Sequence, residues 1–166
     1  VYLRAVSAHP SQLREQPGDR QILHELRGAD ELGPDQLRQS ARTAKVFQTL
    51  GDEQKDKDIL VVSAQFGLRH RGRSVRRARE VMQVNEFGLG AFAIGIMILT
   101  HPERLMHCND LYVDCADDEF DDPVSDVRFA CAPYFFFDDD EARFDTLWFS
   151  VAFGRCGSAS GFFPQQ

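Results

Sequence analysis

The sequence predicts an α+β fold with N-terminal helices, a central buried apolar helix, and a C-terminal, mostly antiparallel sheet. Three observations predict it: helical spacing of apolar side chains over residues 34–50, an apolar run over residues 87–99, and aromatic-rich stretches from residue 127 onward. The chain of 166 residues fits a single domain. Within it we expect a loosely structured segment over residues 1–33, which is rich in turn residues, and an α+β core over residues 34–166.

The two N-terminal helices are predicted from apolar periodicity. In residues 19–27, the side chains of Ile22, Leu23 and Leu26 share one side of a short helix. Residues 34–50 form a longer amphipathic helix, in which apolar side chains recur at helical spacing and the other face is charged. Its apolar positions are Leu37, Ala41, Ala44 and Phe47.

The middle of the chain combines a strand and the central helix. Residues 59–68 indicate a strand, because the first half is apolar on both faces. Residues 86–100 are almost wholly apolar and indicate a buried helix, with a strand as the alternative. The apolar run of 13 residues is shorter than the roughly 20 that a membrane span needs. Since the N-terminus also has no signal-peptide layout, we expect a soluble cytoplasmic protein without membrane contact.

The C-terminal part is predicted to form the sheet. Residues 127–137 and 143–153 indicate two strands of a hairpin. Twelve of the 14 phenylalanines lie from Phe87 onward, so we expect most of the aromatic core in this half. Residues 154–161 are small and glycine-rich, which predicts a flexible turn. A phosphate-binding loop is not expected here, because such a loop needs a helix after it and too few residues follow.

Charge is strongly segregated along the chain. Residues 1–106 carry 16 Lys and Arg against 13 Asp and Glu, a net charge of +3. Residues 107–166 carry three Arg against 13 Asp and Glu, a net charge of −10. Such asymmetry predicts that electrostatics selects the partner of this protein.

The acidic segment, residues 110–126, contains eight carboxylates and no basic residue. Because crowded carboxylates repel each other, we expect an exposed loop that a basic partner neutralises. The same groups suit a divalent cation, which gives the alternative hypothesis of a metal-dependent hydrolase. The residues predicted to bind a partner here are Asp117, Asp118, Glu119, Asp121 and Asp122. The candidate metal ligands of the alternative are Asp114, Asp117, Asp118 and Glu119.

The arginine segment, residues 69–79, contains six arginines, whose guanidinium groups suit carboxylates and phosphates. A nucleic-acid binder is therefore a second alternative, although the net charge of −7 argues against a polyanionic partner. We favour pairing with the acidic segment of the same chain or of a second copy. A helix over residues 86–100 would be about 22 Å long, which favours the second copy and predicts salt-sensitive self-association. The arginines predicted to take part are Arg71, Arg73, Arg76 and Arg77.

Several kinds of chemistry lack the residues they need. The last lysine is Lys57, and no G-x-x-x-x-G-K-[ST] motif occurs, which excludes a P-loop nucleotide hydrolase. The four cysteines form no C-x-x-C pair, so free, buried thiols are expected. His101 and His107 do not combine with the cysteines at any standard zinc spacing. We therefore predict no catalytic residues, no cofactor and no bound metal.

These observations favour a non-enzymatic interaction or regulatory protein. Its acidic loops would bind a protein partner with a basic surface, since charge complementarity speeds association. The alternatives are the metal-dependent hydrolase and the nucleic-acid binder described above.

Overall fold

The computed structural model describes residues 2–3, 23–25, 36–56, 60–123 and 125–163. In these ranges, helices and strands are interspersed in a mixed α+β fold. The helices are α1 (Ala41–Glu53), α2 (Val75–Val81) and α3 (Ala91–Thr100), with 3₁₀ turns at Leu68–His70 and Pro102–Arg104. The strands are β1 (Tyr2–Leu3), β2 (Leu23–Glu25), β3 (Leu37–Gln39), β4 (Leu60–Val61), β5 (Ser63–Gln65), β6 (Glu86–Gly88), β7 (Tyr112–Asp114), β8 (Asp118–Phe120), β9 (Cys131–Asp138), β10 (Glu141–Trp148), β11 (Cys156–Ser158) and β12 (Ser160–Phe162).

The expected arrangement of N-terminal helices is wrong. Residues 23–25, placed in a helix from the sequence, form strand β2, and residues 37–39 form strand β3. Helix α1 begins only at Ala41, because the Ser40 side chain caps it by accepting a hydrogen bond from the Thr43 N–H at 3.4 Å. Apart from β1 and β2, the segment expected over residues 1–33 lies outside the described residues.

The central apolar helix is shorter and less buried than expected. Strand β6 occupies the first three residues of the predicted helix, and α3 starts after Gly90. Ile94 and Met97 are buried, but Phe92 is 70% exposed and Leu99 is 59% exposed. Helix α3 therefore has a buried face and an exposed face, although both are apolar in composition. Among the described residues, no helix is both long and apolar enough to cross a bilayer.

The strands form one large and two small sheets. The seven-stranded sheet runs β11-β7-β9-β10-β2, and β8 joins β9 to β3. The β2–β10 and β7–β11 pairs are parallel, and the other pairs of this sheet are antiparallel. Antiparallel β5-β12-β6 forms a second sheet, and β1 pairs with β4. Since β2 and β3 join the large sheet, it is not the separate C-terminal unit that the sequence predicted.

The large sheet has a core face and an open face. Because side chains alternate along strands, the cross-strand neighbours Val113, Phe135 and Phe144 share one face. Their cluster includes Ile94 and Met97 of α3, which covers this face. The aromatic residues of the opposite face are Tyr112, Tyr134 and Phe136.

The glycine-rich residues 154–161 are not a flexible turn. They form most of β11 and β12, whose residues are nearly all buried. A Cβ added at Gly157 would lie 2.3 Å from the carbonyl oxygen of Gly67. Glycine is required at this position because it lets two backbones approach closely.

Candidate functional site

A cavity with a volume of about 480 Å³ opens at the N-terminal end of α3. We call it the α3 cavity. It lies between β3, α1, α3 and the start of β8, so elements distant in sequence build it together. Its polar lining side chains are Arg38, Gln39 and Asp118. Its main apolar lining residues are Leu37, Phe47, Val62, Phe92, Ala93 and Ile96.

Asp118 caps α3 from a different part of the chain. Gly90 occupies the N-cap position and has no side chain to offer, but the Asp118 carboxylate accepts the Ala91 N–H at 2.6 Å. A Cβ at residue 90 would lie 2.6 Å from Oδ1 of Asp118, so glycine makes room for the carboxylate. The helix N-terminus also stabilises a negative charge at this position.

The same carboxyl group titrates in an unusual range. Asp118 is only 8% exposed, and burial raises its pKa to about 6. The Ala91 hydrogen bond and the Arg79 charge lower this pKa, whereas the charge of Asp117 raises it further. At neutral pH, Asp118 therefore presents a mainly ionised carboxylate at the edge of an apolar cavity.

Asp117 is an internal anchor. It is fully buried, and its carboxylate accepts hydrogen bonds from Gln39 Nε2 at 2.7 Å and from Ser40 Oγ at 2.8 Å. Burial raises the pKa of Asp117, and these donors, together with Thr43, oppose the increase. The expectation of an exposed loop is wrong for Asp117 and Asp118, because both side chains are needed to hold β3, α1 and α3.

Glu119 connects the acidic and arginine segments within one chain. Its Oε1 lies 3.1 Å from Nη1 of Arg79, and its Oε2 lies 2.8 Å from Nη2 of Arg38. The Arg38 guanidinium also lies 3.6 Å from the ring centroid of Phe129. These contacts neutralise Arg38 next to the cavity.

The remaining predicted residues lie apart from the cavity. Asp121 pairs with Arg128 at 2.7 Å, and Asp122 is half-buried. Asp114 is 4% exposed, and burial raises its pKa to about 7 against the effect of Ser158. The exposed arginines of the predicted docking surface are Arg71, Arg73, Arg76 and Arg77.

The carboxylates do not form a metal-binding group in the described part of the chain. No cluster of three or more His, Cys, Asp or Glu side chains there could hold an ion. The buried carboxylates instead accept protein hydrogen bonds, as Asp117 and Asp118 do.

The structure also contains a second buried polar network, centred on Glu86, which the sequence did not predict. Glu86 Oε1 lies 2.8 Å from Nε2 of His70 and 2.7 Å from the Ser160 hydroxyl, and all three residues are at most 1% exposed. The hydroxyl donates to the carboxylate and not to the imidazole, so this is not the arrangement of a serine nucleophile with its base. The network joins β6, β12 and the 3₁₀ turn at Leu68–His70.

The sequence did not predict the lining of the α3 cavity either. Phe47 was recognised as one of the apolar positions of a helix, but Phe92 and Ile96 were assigned to a uniformly buried segment. Their i, i+4 spacing on α3 is a signal that could have marked a shared face.

Comparisons with known proteins give no assignment. No protein-family model matches the chain, no curated protein matches its sequence, and no solved structure matches its fold.

Proposed function

We propose that this protein is a non-enzymatic binding protein whose α3 cavity holds a small cationic amphiphile. The ligand would have an apolar body and one protonated amine. The observation that carries this proposal is the ionisable carboxylate of Asp118 at the polar end of a mainly apolar cavity. Apolar cavities with a few convergent polar groups and a residue of perturbed pKa are typical small-molecule sites.

The shape and lining of the cavity support binding. Its volume of about 480 Å³ lies within the range of sites for small molecules. Side chains of Phe47, Val62 and Ile96 would remove the apolar body of a ligand from water. None of the described lining residues is Ser, Thr, Cys, His or Lys, which favours binding over covalent catalysis.

The charge balance supports a cation. The charged residues that line the cavity are Arg38 and Asp118; because Arg38 pairs with Glu119, the Asp118 carboxylate is the charge that remains for a ligand. The net charge of −7 also attracts cations to the protein.

Calorimetric titration with octylamine, octanol and octanoate tests the proposal. We expect octylamine to bind most tightly and octanoate most weakly at about pH 7.5, where Asp118 is ionised. Asp118→Asn retains an oxygen that can accept the Ala91 N–H but removes the charge. We expect it to abolish the preference for the amine over the alcohol.

Two tryptophan substitutions on the same helix provide matched variants. Ile96→Trp fills the cavity and should weaken octylamine binding at least about tenfold. Leu99→Trp lies outside the cavity, at a 59% exposed position, and should leave the affinity unchanged. Equal binding by both variants, or tighter binding of octanoate than of octylamine, would overturn the proposal.

A basic protein partner is a second proposal. It is supported by the net charge of −10 over residues 107–166 and by the exposed acidic turn at Asp139 and Asp140. An oligolysine peptide is a suitable probe. We expect its affinity to fall steeply with salt and to weaken in Asp139→Asn, Asp140→Asn; salt-independent binding would contradict this proposal. A cytoplasmic location, which the four free thiols support, is part of the same proposal.

A further inference from the structure

A second pocket lies on the open face of the large sheet, the face opposite to α3. Its volume is about 340 Å³, and we call it the tyrosine pocket. It is formed by β7, β9, β10 and the loop that leads into β11. Its lining side chains include Tyr112, Tyr134, Leu147, Phe153 and Arg155. The pocket shares none of its lining residues with the α3 cavity, so its role is independent of the proposed function.

Aromatic rings form one wall of the tyrosine pocket. The rings of Tyr112 and Tyr134 stack with their centroids 6.0 Å apart and their planes 15° apart. Phe136, which does not line the pocket, packs against Tyr112 with the ring centroids 5.2 Å apart. Phe153, another lining residue, is 49% exposed although it is a large apolar residue. A planar ring placed in this pocket would contact aromatic surface and cover Phe153.

One arginine, Arg155, lines the pocket, and a second, Arg71, lies beside it. The Arg155 guanidinium lies 4.9 Å from the ring centroid of Tyr112, and one of its N–H groups donates to the carbonyl of Cys108. Arg71 donates from Nε to the carbonyl of Gly154, a residue of the pocket lining, at 3.0 Å. Neither guanidinium pairs with a carboxylate within the described ranges, so both can bind an anion.

Two carboxyl groups, those of Asp145 and Asp114, lie near Tyr134 on neighbouring strands, and neither residue lines the pocket. The Tyr134 hydroxyl contacts Asp145, and burial together with that carboxylate raises the pKa of the phenol, which therefore stays neutral. Asp114 is 4% exposed and close enough to Cys156 for its charge to raise the pKa of that thiol. An anionic ligand would thus be oriented, with its ring against the tyrosines and its charge at the arginines.

We propose that the tyrosine pocket binds a small molecule in which a planar aromatic ring is joined to a phosphate, as in a nucleoside monophosphate. A pocket of this size holds one ring rather than a strand of stacked bases. A polymeric nucleic acid would also be repelled by the net charge of −7 and by the exposed Asp139 and Asp140 at the end of the β9–β10 hairpin.

Equilibrium titration with adenosine monophosphate, adenosine and inorganic phosphate tests this proposal. We expect the monophosphate to bind at least about tenfold more tightly than either part alone, because ring and phosphate contact different sides of the pocket. Phe153→Ala should weaken binding without risk to the fold, since the side chain is half-exposed. Tyr112→Phe retains the ring and should preserve binding.

Arginine variants separate a specific anion site from general attraction. Arg155→Gln should remove the preference for the monophosphate over adenosine, whereas Arg76→Gln, an exposed arginine outside the pocket, should not. The proposal is overturned if the monophosphate does not bind, or if Phe153→Ala binds it as tightly as the unmodified protein. It is equally overturned if tetramethylammonium or a single-stranded oligonucleotide binds more tightly than the monophosphate.

Discussion

Nη1 of Arg79 lies 3.1 Å from Oε1 of Glu119, and this ion pair joins α2 to β8 across 40 positions of the chain. The same guanidinium donates to the carbonyl oxygens of Ala116 at 2.7 Å and Asp118 at 3.0 Å. One half-buried arginine thus holds the turn that places Asp117 and Asp118.

We expect Arg79→Met to destabilise the protein by about 2–3 kcal/mol, since it removes the Arg79 donor from two carbonyl groups and from Oε1 of Glu119, which among the described residues keeps only its contact with Arg38. Urea denaturation measures the loss. Arg77→Met is the matched control on the same helix, because Arg77 is 62% exposed and pairs only with Glu80 among the described residues. It should change stability by less than about 0.5 kcal/mol. Equal effects of the two substitutions would show that the Arg79 contacts contribute little.

Glu86 gives a prediction at acidic pH. Burial raises its pKa, but hydrogen bonds from Ser160, His70 and the Gln83 N–H outweigh burial and leave the pKa below 4.5. A lowered pKa means that the stabilisation is present above about pH 4.5 and is lost as the pH falls through the folded-state value. Glu86→Gln should cost about 3 kcal/mol at neutral pH and less in acid. Glu80→Gln, at a 51% exposed side chain, should show no such pH dependence.

Asp114 gives the opposite dependence of stability on pH, because folding raises its pKa. Its pKa rises from 3.8 to about 7 on folding, so the folded state holds the proton more tightly than the unfolded state. Stability is therefore lost as the pH rises between these values, by at most about 1.4 kcal/mol per pH unit. Relative to wild type, Asp114→Asn should become progressively more stable over this window. The exposed control Asp52→Asn should follow the wild-type curve, and a parallel curve for Asp114→Asn would refute the prediction.

Gly157 tests the close approach of β11 to the turn at Gly67. Gly157→Ala would place a Cβ 2.3 Å from a backbone oxygen, and we expect a loss of about 3 kcal/mol in urea denaturation. Gly154→Ala is the control, since no atom lies within 4 Å of the added Cβ. If the two variants are equally stable, the backbone separates at little cost.

The thiols should differ sharply in reactivity. Cys108 is exposed, whereas Cys115, Cys131 and Cys156 are buried. Burial raises the pKa of Cys156 to about 12 and that of Cys115 well above its ordinary value, which suppresses the reactive thiolate. Titration with a thiol reagent should find one fast thiol in the native protein and four after unfolding. Loss of the fast phase in Cys108→Ser would identify it; its persistence would contradict the assignment.

Local signals located α1, α3 and the β9–β10 hairpin, but they predicted a helix where residues 23–25 form strand β2. The helical spacing before residue 50 and the apolar content of residues 91–100 correspond to α1 and α3, and the aromatic stretches after residue 127 correspond to β9 and β10. The ends of these elements were misplaced where a distant partner decided them. Strand β3, for example, exists because it pairs with β8, some 80 residues further on.

The candidate site was harder to predict, because burial of a charge depends on partners that the sequence does not reveal. Asp117 looked like part of a solvated loop, yet its hydrogen-bond donors Gln39 and Ser40 lie 78 and 77 positions away. The glycine content of residues 154–161 likewise predicts a flexible turn. In the structure, Gly157 instead lets its strand pack closely against the backbone of Gly67. That Tyr112, Tyr134 and Phe136 share one face of the sheet follows only from the register of β7 and β9, which the sequence does not give.

Strand β12 sets the order in which this chain can fold during synthesis. It is the middle strand of its sheet, and Ser160 bonds to Gln65 and Glu86, which are made 95 and 74 residues earlier. Until β12 leaves the ribosome, β5 and β6 have no strand between them, and Val62 and Phe87 have an incomplete core around them. Such long-range pairing slows folding and prolongs exposure of apolar surface. The nascent chain therefore keeps this apolar surface exposed until β12 has been made.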